Sequence, residues 1–159
     1  MDIIKHILVV SWLTQNCSKT IQFGISLSGK YQAELSVVHV MDTTWLTGWS
    51  TPMMSMEEER KRDLEKNKED LHKIISIENK RDRIIKEFVR EGTPSEVILK
   101  LIKEEKIDLL ILRSQEESRL ERLLVGGSND EIIRAMPCSV LLVKEELCTV
   151  DENGEVNDE

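Results

Sequence analysis

Short runs of apolar residues alternate along the chain with longer stretches in which apolar residues recur at helical spacing. The apolar runs are HILVV at 6–10, ELSVVHVM at 34–41, RIIKEFVRE at 83–91, LLILR at 109–113 and CSVLLVK at 138–144. Such short and continuous runs are typical of strands that are covered on both faces of a parallel sheet. They therefore predict five strands, each buried on both sides.

Helical spacing predicts four helices between these strands. The sequence Ser-x-x-Glu, in which the two side chains satisfy free backbone N–H groups, marks two helix starts at Ser55 and Ser128. At a third start, Thr93 and Glu96 form the same capping box around Pro94, whose missing N–H costs nothing in the first turn. The helices are predicted over residues 15–30, 55–79, 94–105 and 128–136.

The alternation of strands and helices predicts one α/β domain over residues 1–144, with a doubly wound parallel sheet and right-handed crossovers. In this architecture ligands bind beyond the carboxyl ends of the strands, where the strand order reverses. The segment 11–14 after the first strand should therefore meet the segment 113–127 after the fourth strand. Their meeting point is the predicted binding site.

Charge is distributed unevenly between the body and the end of the chain. The net charge is −8, and residues 145–159 contain seven acids and no Lys or Arg, so the remainder has a net charge of −1. The acidic tail predicts a disordered, solubilising end. The nearly neutral body has no basic stripe of the kind that binds nucleic acid.

The expected location is the cytoplasm. No apolar run approaches the ~20 residues that span a bilayer, and the amino-terminal segment predicts a first strand rather than a signal peptide. Three scattered cysteines, Cys17, Cys138 and Cys148, have no metal-ligand spacing and suit a reducing compartment. We therefore expect no membrane insertion and no metal site.

Residues suited to catalysis are scarce in the sequence. His6 and His39 lie on predicted strands and His72 on a charged helix, and each is expected to be satisfied or exposed rather than a base or a ligand. No Ser-His-Asp arrangement follows from the spacing. The sequence thus predicts a protein that is not an enzyme and has no catalytic residue, with a slow ATPase as the alternative.

Several segments together resemble the universal stress protein family over residues 3–144. They are HILVVSW at 6–12, LSVVHVMD at 35–42, VREGTPSEVILKLIKEEKIDLLIL at 89–112 and RLLVGGSNDEIIRAMPCSVLLVK at 122–144. The resemblance implies a five-stranded sheet in the order 3-2-1-4-5, Rossmann-like and of the adenine nucleotide alpha hydrolase type. It also implies a homodimer, joined through the last strand, Cys138–Lys144.

Family members that bind ATP carry Gly-x2-Gly-x9-Gly-Ser/Thr after the fourth strand. In this sequence the first two glycine positions hold Arg113 and Glu116, while the third holds Gly126. Gly127 stands at the Ser/Thr position and Ser128 follows one place later. The spacing of the motif is therefore kept although two of its glycines are absent.

The replaced residues argue against tight binding of a triphosphate. One carboxylate at ~4 Å from a phosphate charge repels it by about 4 kcal/mol at an effective dielectric of ~20, so Glu116 opposes binding if it faces the site. ATP binders in the family usually have an Asp after the first strand, and here Trp12 stands at that position. A bulky indole there would fill the pocket, although stacking against an adenine is an alternative.

Other residues favour anion binding. Arg113 and Arg119 carry guanidinium groups that can grip phosphate, or can pair with the acids of the same loop. The turn at Gly126, Gly127 and Ser128 offers free N–H groups at a helix entry, as a phosphate site does and as an ordinary helix start also does.

The expected function is a non-catalytic stress-response homodimer with a degenerate nucleotide site, no cofactor and contacts to protein partners. The alternative is a regulatory switch that binds ATP or AMP through a modified loop, with ATP and Mg²⁺ as the cofactor. Trp45 and Trp49 after the second strand are compatible with core packing, a dimer surface or a partner site.

Overall fold

The computed structural model describes residues 3–11, 13, 18–43, 54–114, 128–135 and 137–144. Within them, five parallel strands form one sheet in the order β3-β2-β1-β4-β5. This order confirms the fold class and topology expected from the sequence. The elements are β1 (His6–Val10), α1 (Lys19–Tyr31), β2 (Glu34–Asp42), α2 (Met54–Glu78), β3 (Ile85–Gly92), α3 (Pro94–Glu104), β4 (Leu109–Ser114), α4 (Ser128–Ala135) and β5 (Ser139–Lys144).

Alternate residues of the central strands face two separate cores, because successive side chains of a strand point to opposite faces. Ile7 and Val9 of β1 belong to a core that includes Ile21 of α1 and Leu71 of α2. Leu8 and Val10 belong to the opposite core, to which α3 and α4 contribute Ile98, Leu101, Ile102 and Ile132. Helices α1 and α2 therefore cover one face of the sheet, and α3 and α4 cover the other.

Burial on both faces was predicted for all five strands, and this prediction is wrong for the two edge strands. The last four residues of β1 and the first four of β4 are buried. In contrast, β3 exposes residues on most of its length, and Leu142 of β5 is 48% exposed. The reason is position, because an edge strand has one neighbour and the helices do not extend over its outer side.

Several predicted boundaries also require correction. α1 begins at Lys19 with Ser18 as its N-cap, four residues later than predicted, and residues 14–17 lie outside the described residues. β3 begins at Ile85, two residues later than predicted. Thr93 does precede α3, with an extended backbone, but its side chain makes no capping hydrogen bond, so the predicted box is wrong there. The other two predicted caps, Ser55 and Ser128, are themselves helical residues of α2 and α4, so neither is placed as an N-cap residue.

Within the described ranges, no helix is both long and apolar enough to cross a membrane. The acidic segment 145–159 lies outside the described residues, so its predicted disorder stays a prediction.

A close approach between α1 and β1 accounts for the glycine inside the first helix. A Cβ atom at Gly24 would lie 2.4 Å from Cγ2 of Val9 and 3.3 Å from Cδ1 of Leu35. Glycine within a helix costs up to about 1 kcal/mol relative to alanine, and here it allows the helix to lie directly on the sheet.

We predict that Gly24→Ala destabilises the fold by about 1–2 kcal/mol, because overpacking outweighs the gain in helix propensity. The measurement is the free energy of unfolding in urea. The control is the double variant Val9→Ala/Gly24→Ala, in which the clashing methyl group is removed, so the two changes should compensate in part. Strictly additive effects would contradict the proposed contact.

Candidate functional site

The carboxyl ends of β1 and β4 lie side by side, and the helices that follow these two strands cover opposite faces of the sheet. The strand order reverses at this point, which is where ligands bind in folds of this class, and we call the region beyond these strand ends the crevice. Ser11 follows β1 directly, is 7% exposed, and donates its backbone N–H to the carbonyl of Val38 in β2 at 2.8 Å. Ser11 therefore extends the ladder of the sheet by one residue and fixes the floor of the crevice.

Arg113, at the first motif-glycine position, lies within β4 and not in a turn. It pairs with Val143 of β5, and the next residue, Ser114, pairs with Lys144. Among the described residues, the non-glycine residues with positive φ are Gln32, Asp82 and Lys106, so Arg113 has no left-handed strain. The strand thus continues through a position where ATP-binding relatives are expected to have glycine.

The helix entry predicted at Ser128 is where α4 begins. Gly126 and Gly127, the other residues of the predicted phosphate turn, lie outside the described residues, as do Trp12 and the segment 115–127. α4 is fixed to the sheet through Ile132, which is fully buried. Asp130 and Glu131 occupy its first turn.

These two carboxylates already interact with the helix dipole. Negative side chains in the first turn are stabilising because the free N–H groups carry partial positive charge. A phosphate at the same helix end would be repelled by both side chains. The first turn of α4 is therefore less suited to a second anion than a helix start with neutral residues.

His39 is a residue of the crevice that sequence reasoning did not select. Its Nδ1 lies 3.0 Å from the carbonyl oxygen of Ser11. A carbonyl only accepts, so Nδ1 carries the proton and Nε2 is left as an acceptor. Burial lowers the pKa of His39 below its ordinary value, and the hydrogen bond to Ser11 opposes this effect in part. The imidazole is therefore neutral at physiological pH, and no pattern in VVHVM distinguishes it from a core residue.

The structure also brings together Ser76, His72 and Glu87, a set that the sequence spacing did not suggest. Nδ1 of His72 lies 3.0 Å from Oε1 of Glu87, but Oγ of Ser76 is 3.5 Å from Nε2 and donates instead to the carbonyl of His72 at 2.7 Å. A distance of 3.5 Å is too long to activate a nucleophile. The cluster lies on exposed surface, and we interpret it as a contact between helix α2 and strand β3.

Other reactive groups in the described parts of the chain are similarly unsuited to catalysis. Cys138 is half-buried, and burial raises the pKa of its thiol, which disfavours the reactive thiolate. No group of three or more His, Cys, Asp or Glu side chains is placed to hold a metal ion among the described residues.

The sequence profile of the universal stress protein family matches residues 4–144. The chain belongs to this family. A relative, universal stress protein MJ0531 of Methanocaldococcus jannaschii, is 24% identical over 128 residues, which are 77% of this chain and 71% of the relative. The family match over residues 4–144 includes both β1 and β4.

Two solved structures have the same fold as this family member. One is a universal stress protein in complex with cAMP, with 15% identity, a TM-score of 0.65, and coverage of 89% of this chain and 97% of that chain. The other is the universal stress protein of Archaeoglobus fulgidus in complex with dAMP, with 15% identity, a TM-score of 0.58, and coverage of 91% and 100%. At this level of identity the likeness shows the fold.

We predict that His39→Asn reduces the loss of stability in acid. Because the pKa of His39 is lowered in the folded state, the unfolded state binds the proton first as the pH falls through about 6.5, and the folded state loses stability. Asparagine retains an N–H donor for Ser11 and does not titrate. Thermal unfolding measured between about pH 7.5 and pH 5 should therefore show a shallower decline in the variant. Parallel pH profiles would contradict a buried, neutral His39.

Proposed function

We propose that this universal stress protein is a non-catalytic regulator that acts as a homodimer through protein contacts and does not bind ATP tightly. The observation that carries the proposal is the path of β4. Arg113 is a paired strand residue at the position where ATP-binding relatives are expected to have glycine. Glycine serves there to bring bare backbone N–H groups close to the phosphates, and an extended strand with a long side chain does not.

Charge at the carboxyl edge supports the same proposal. Asp130 and Glu131 lie in the first turn of α4, and the segment between β4 and α4 adds Glu116, Glu117 and Glu121. A triphosphate that approached any of these carboxylates would be repelled, because each close pair of like charges is unfavourable.

A nucleotide-binding switch is the second candidate function, and the cAMP and dAMP complexes of related proteins favour it. A nucleoside monophosphate carries less charge than ATP, so it requires fewer backbone N–H donors. Arg113 or Arg119 would then hold the phosphate with Gly126, Gly127 and Ser128, and Nε2 of His39 offers an acceptor at the crevice floor. In this version the cofactor is AMP, or ATP with Mg²⁺.

We predict that isothermal titration with ATP and Mg²⁺ gives no micromolar binding to the wild-type protein. The double variant Arg113→Gly/Glu116→Gly restores both motif glycines, and it should gain ATP affinity by at least about tenfold if crowding is the cause. The matched control is Gln115→Gly, which adds a glycine to the same segment at an uncharged position outside the motif.

Micromolar binding of ATP by the wild type would contradict the proposal. Tight binding of AMP or cAMP alone would support the second candidate. Equal gains in the double variant and in the control would show that loop flexibility, rather than the motif positions, limits binding.

The edge strand β5 is the surface that supports a homodimer. Within the described residues it pairs with β4 on one side only, and an unpaired strand edge is a template for pairing with another chain. Leu142 lies in the middle of β5 and is 48% exposed. A second copy that covers β5 would bury this side chain and satisfy the free backbone groups.

We predict that Leu142→Lys converts a dimer to a monomer, because a charge at the centre of the interface would have to lose its hydration. The measurement is light scattering coupled to gel filtration at matched concentrations. The control is Ile77→Lys, which places the same charge at an exposed apolar residue of α2 that is 66% exposed. A monomeric wild type, or a variant that stays dimeric, would contradict assembly through β5.

A further inference from the structure

A second concave site lies on the face covered by α1 and α2, away from the carboxyl edge. We call it the α1–α2 cleft. It has a volume of about 440 Å³, which is within the range of small-molecule sites, ~300–1,000 Å³. Its wall comes from the outer side of α1, the end of α2 and the segment that enters β3. The lining residues are Gln22, Ile25, Ser26, Gly29, Lys30, Glu78, Lys80, Arg81 and Arg83.

Four of these residues are cations, and the cleft contains one carboxylate. Lys30, Lys80, Arg81 and Arg83 form no ion pair with the described residues. Elsewhere in the described chain, exposed cations such as Arg60 and Lys86 do pair with acids. This concentration of unpaired positive charge occurs in a chain whose net charge is −8.

The single carboxylate of the cleft is held away from the cations. Glu78 accepts a hydrogen bond from Oγ of Ser18, the N-cap residue of α1. Asp82 lies in the same segment but does not line the cleft. The positive side chains of the cleft are therefore available to interact with a bound anion.

Arg83 has a specific place in the wall. A Cβ atom at Gly29 would lie 2.6 Å from a terminal nitrogen of Arg83, so the guanidinium lies directly over the bare backbone of α1. The side chain of Asn79 forms two hydrogen bonds with the backbone of Arg83. Its Nδ2 donates to the carbonyl of Arg83, and its Oδ1 accepts from the Arg83 N–H. Both contacts fix a residue that is half-buried.

Helix dipoles account for part of this charge. Lys30 lies in the last turn of α1, and Lys80 and Arg81 follow the end of α2. Cations at such positions are stabilising without any ligand. This explanation does not cover Arg83, which lies beyond the helix end with its guanidinium over Gly29.

We propose that the α1–α2 cleft binds a small anion that carries phosphate groups. Guanidinium and ammonium groups from both sides of one cleft match the several oxygens of a phosphate, and Ile25 in the wall offers an apolar contact for the rest of the ligand. The site is separate from the carboxyl-edge crevice, so its loss would leave the proposed function unaffected.

The test is titration with inorganic pyrophosphate, followed by amide chemical shifts and by calorimetry on the full chain. We expect saturable shifts at Gly29 and in residues 80–83, with affinity that falls as salt rises. Arg83→Gln should weaken binding by about tenfold, the effect of losing one charged contact. Ribose 5-phosphate in place of pyrophosphate distinguishes an organic phosphate from a free one.

Two further variants make the result decisive. Gly29→Ala keeps all charges but displaces the guanidinium, whose flexible end can move without disturbing the fold, so it should weaken binding as well. Lys103→Gln removes an exposed cation of α3 on the other face and should leave affinity unchanged. Absence of saturable binding would overturn the proposal, and so would equal losses in Arg83→Gln and Lys103→Gln or unchanged affinity in Gly29→Ala.

Discussion

The structure depends on one constraint, which is that the central parallel strands are buried on both faces. A parallel sheet of this kind requires a helix after each strand, and right-handed crossovers then fix on which face each helix lies. Helix α1 packs very closely on the sheet at Gly24, where the absence of a side chain leaves room for Val9 of β1. The constraint also places the carboxyl ends of all the strands at one edge of the sheet, which is where ligand sites form in open α/β folds.

At that edge two features of the described residues support the proposal that a triphosphate does not bind tightly. β4 continues as a paired strand through Arg113, and the first turn of α4 is already occupied by carboxylates. The crevice nevertheless retains an ordered floor, in which Ser11 extends the sheet and His39 is neutral and bonded to it. The fold is thus that of the universal stress protein family, and the proposed function attributes the difference from its ATP binders to this edge.

Much of the fold could be predicted because the apolar runs of the central strands are short and continuous, and because helical spacing is clear in α3. The exposure of the edge strands could not be predicted, because an apolar run such as RIIKEFVRE is compatible with a central or an edge position in the sheet. The start of α1 was placed too early because the spacing of apolar residues extends beyond the helix. At the candidate site, the start of α4 near Ser128 was predicted from the capping pattern. His39 and the α1–α2 cleft were not, because both depend on contacts between residues far apart in sequence.

The central proposal is that the carboxyl-edge crevice does not bind ATP tightly. The most direct measurement is chromatography and mass spectrometry of the small molecules released when protein purified without added nucleotide is denatured. We expect no adenine nucleotide in amounts comparable to the protein. Release of about one equivalent of ATP or ADP per chain would contradict the claim, because a ligand that survives purification must be bound far more tightly than this crevice allows.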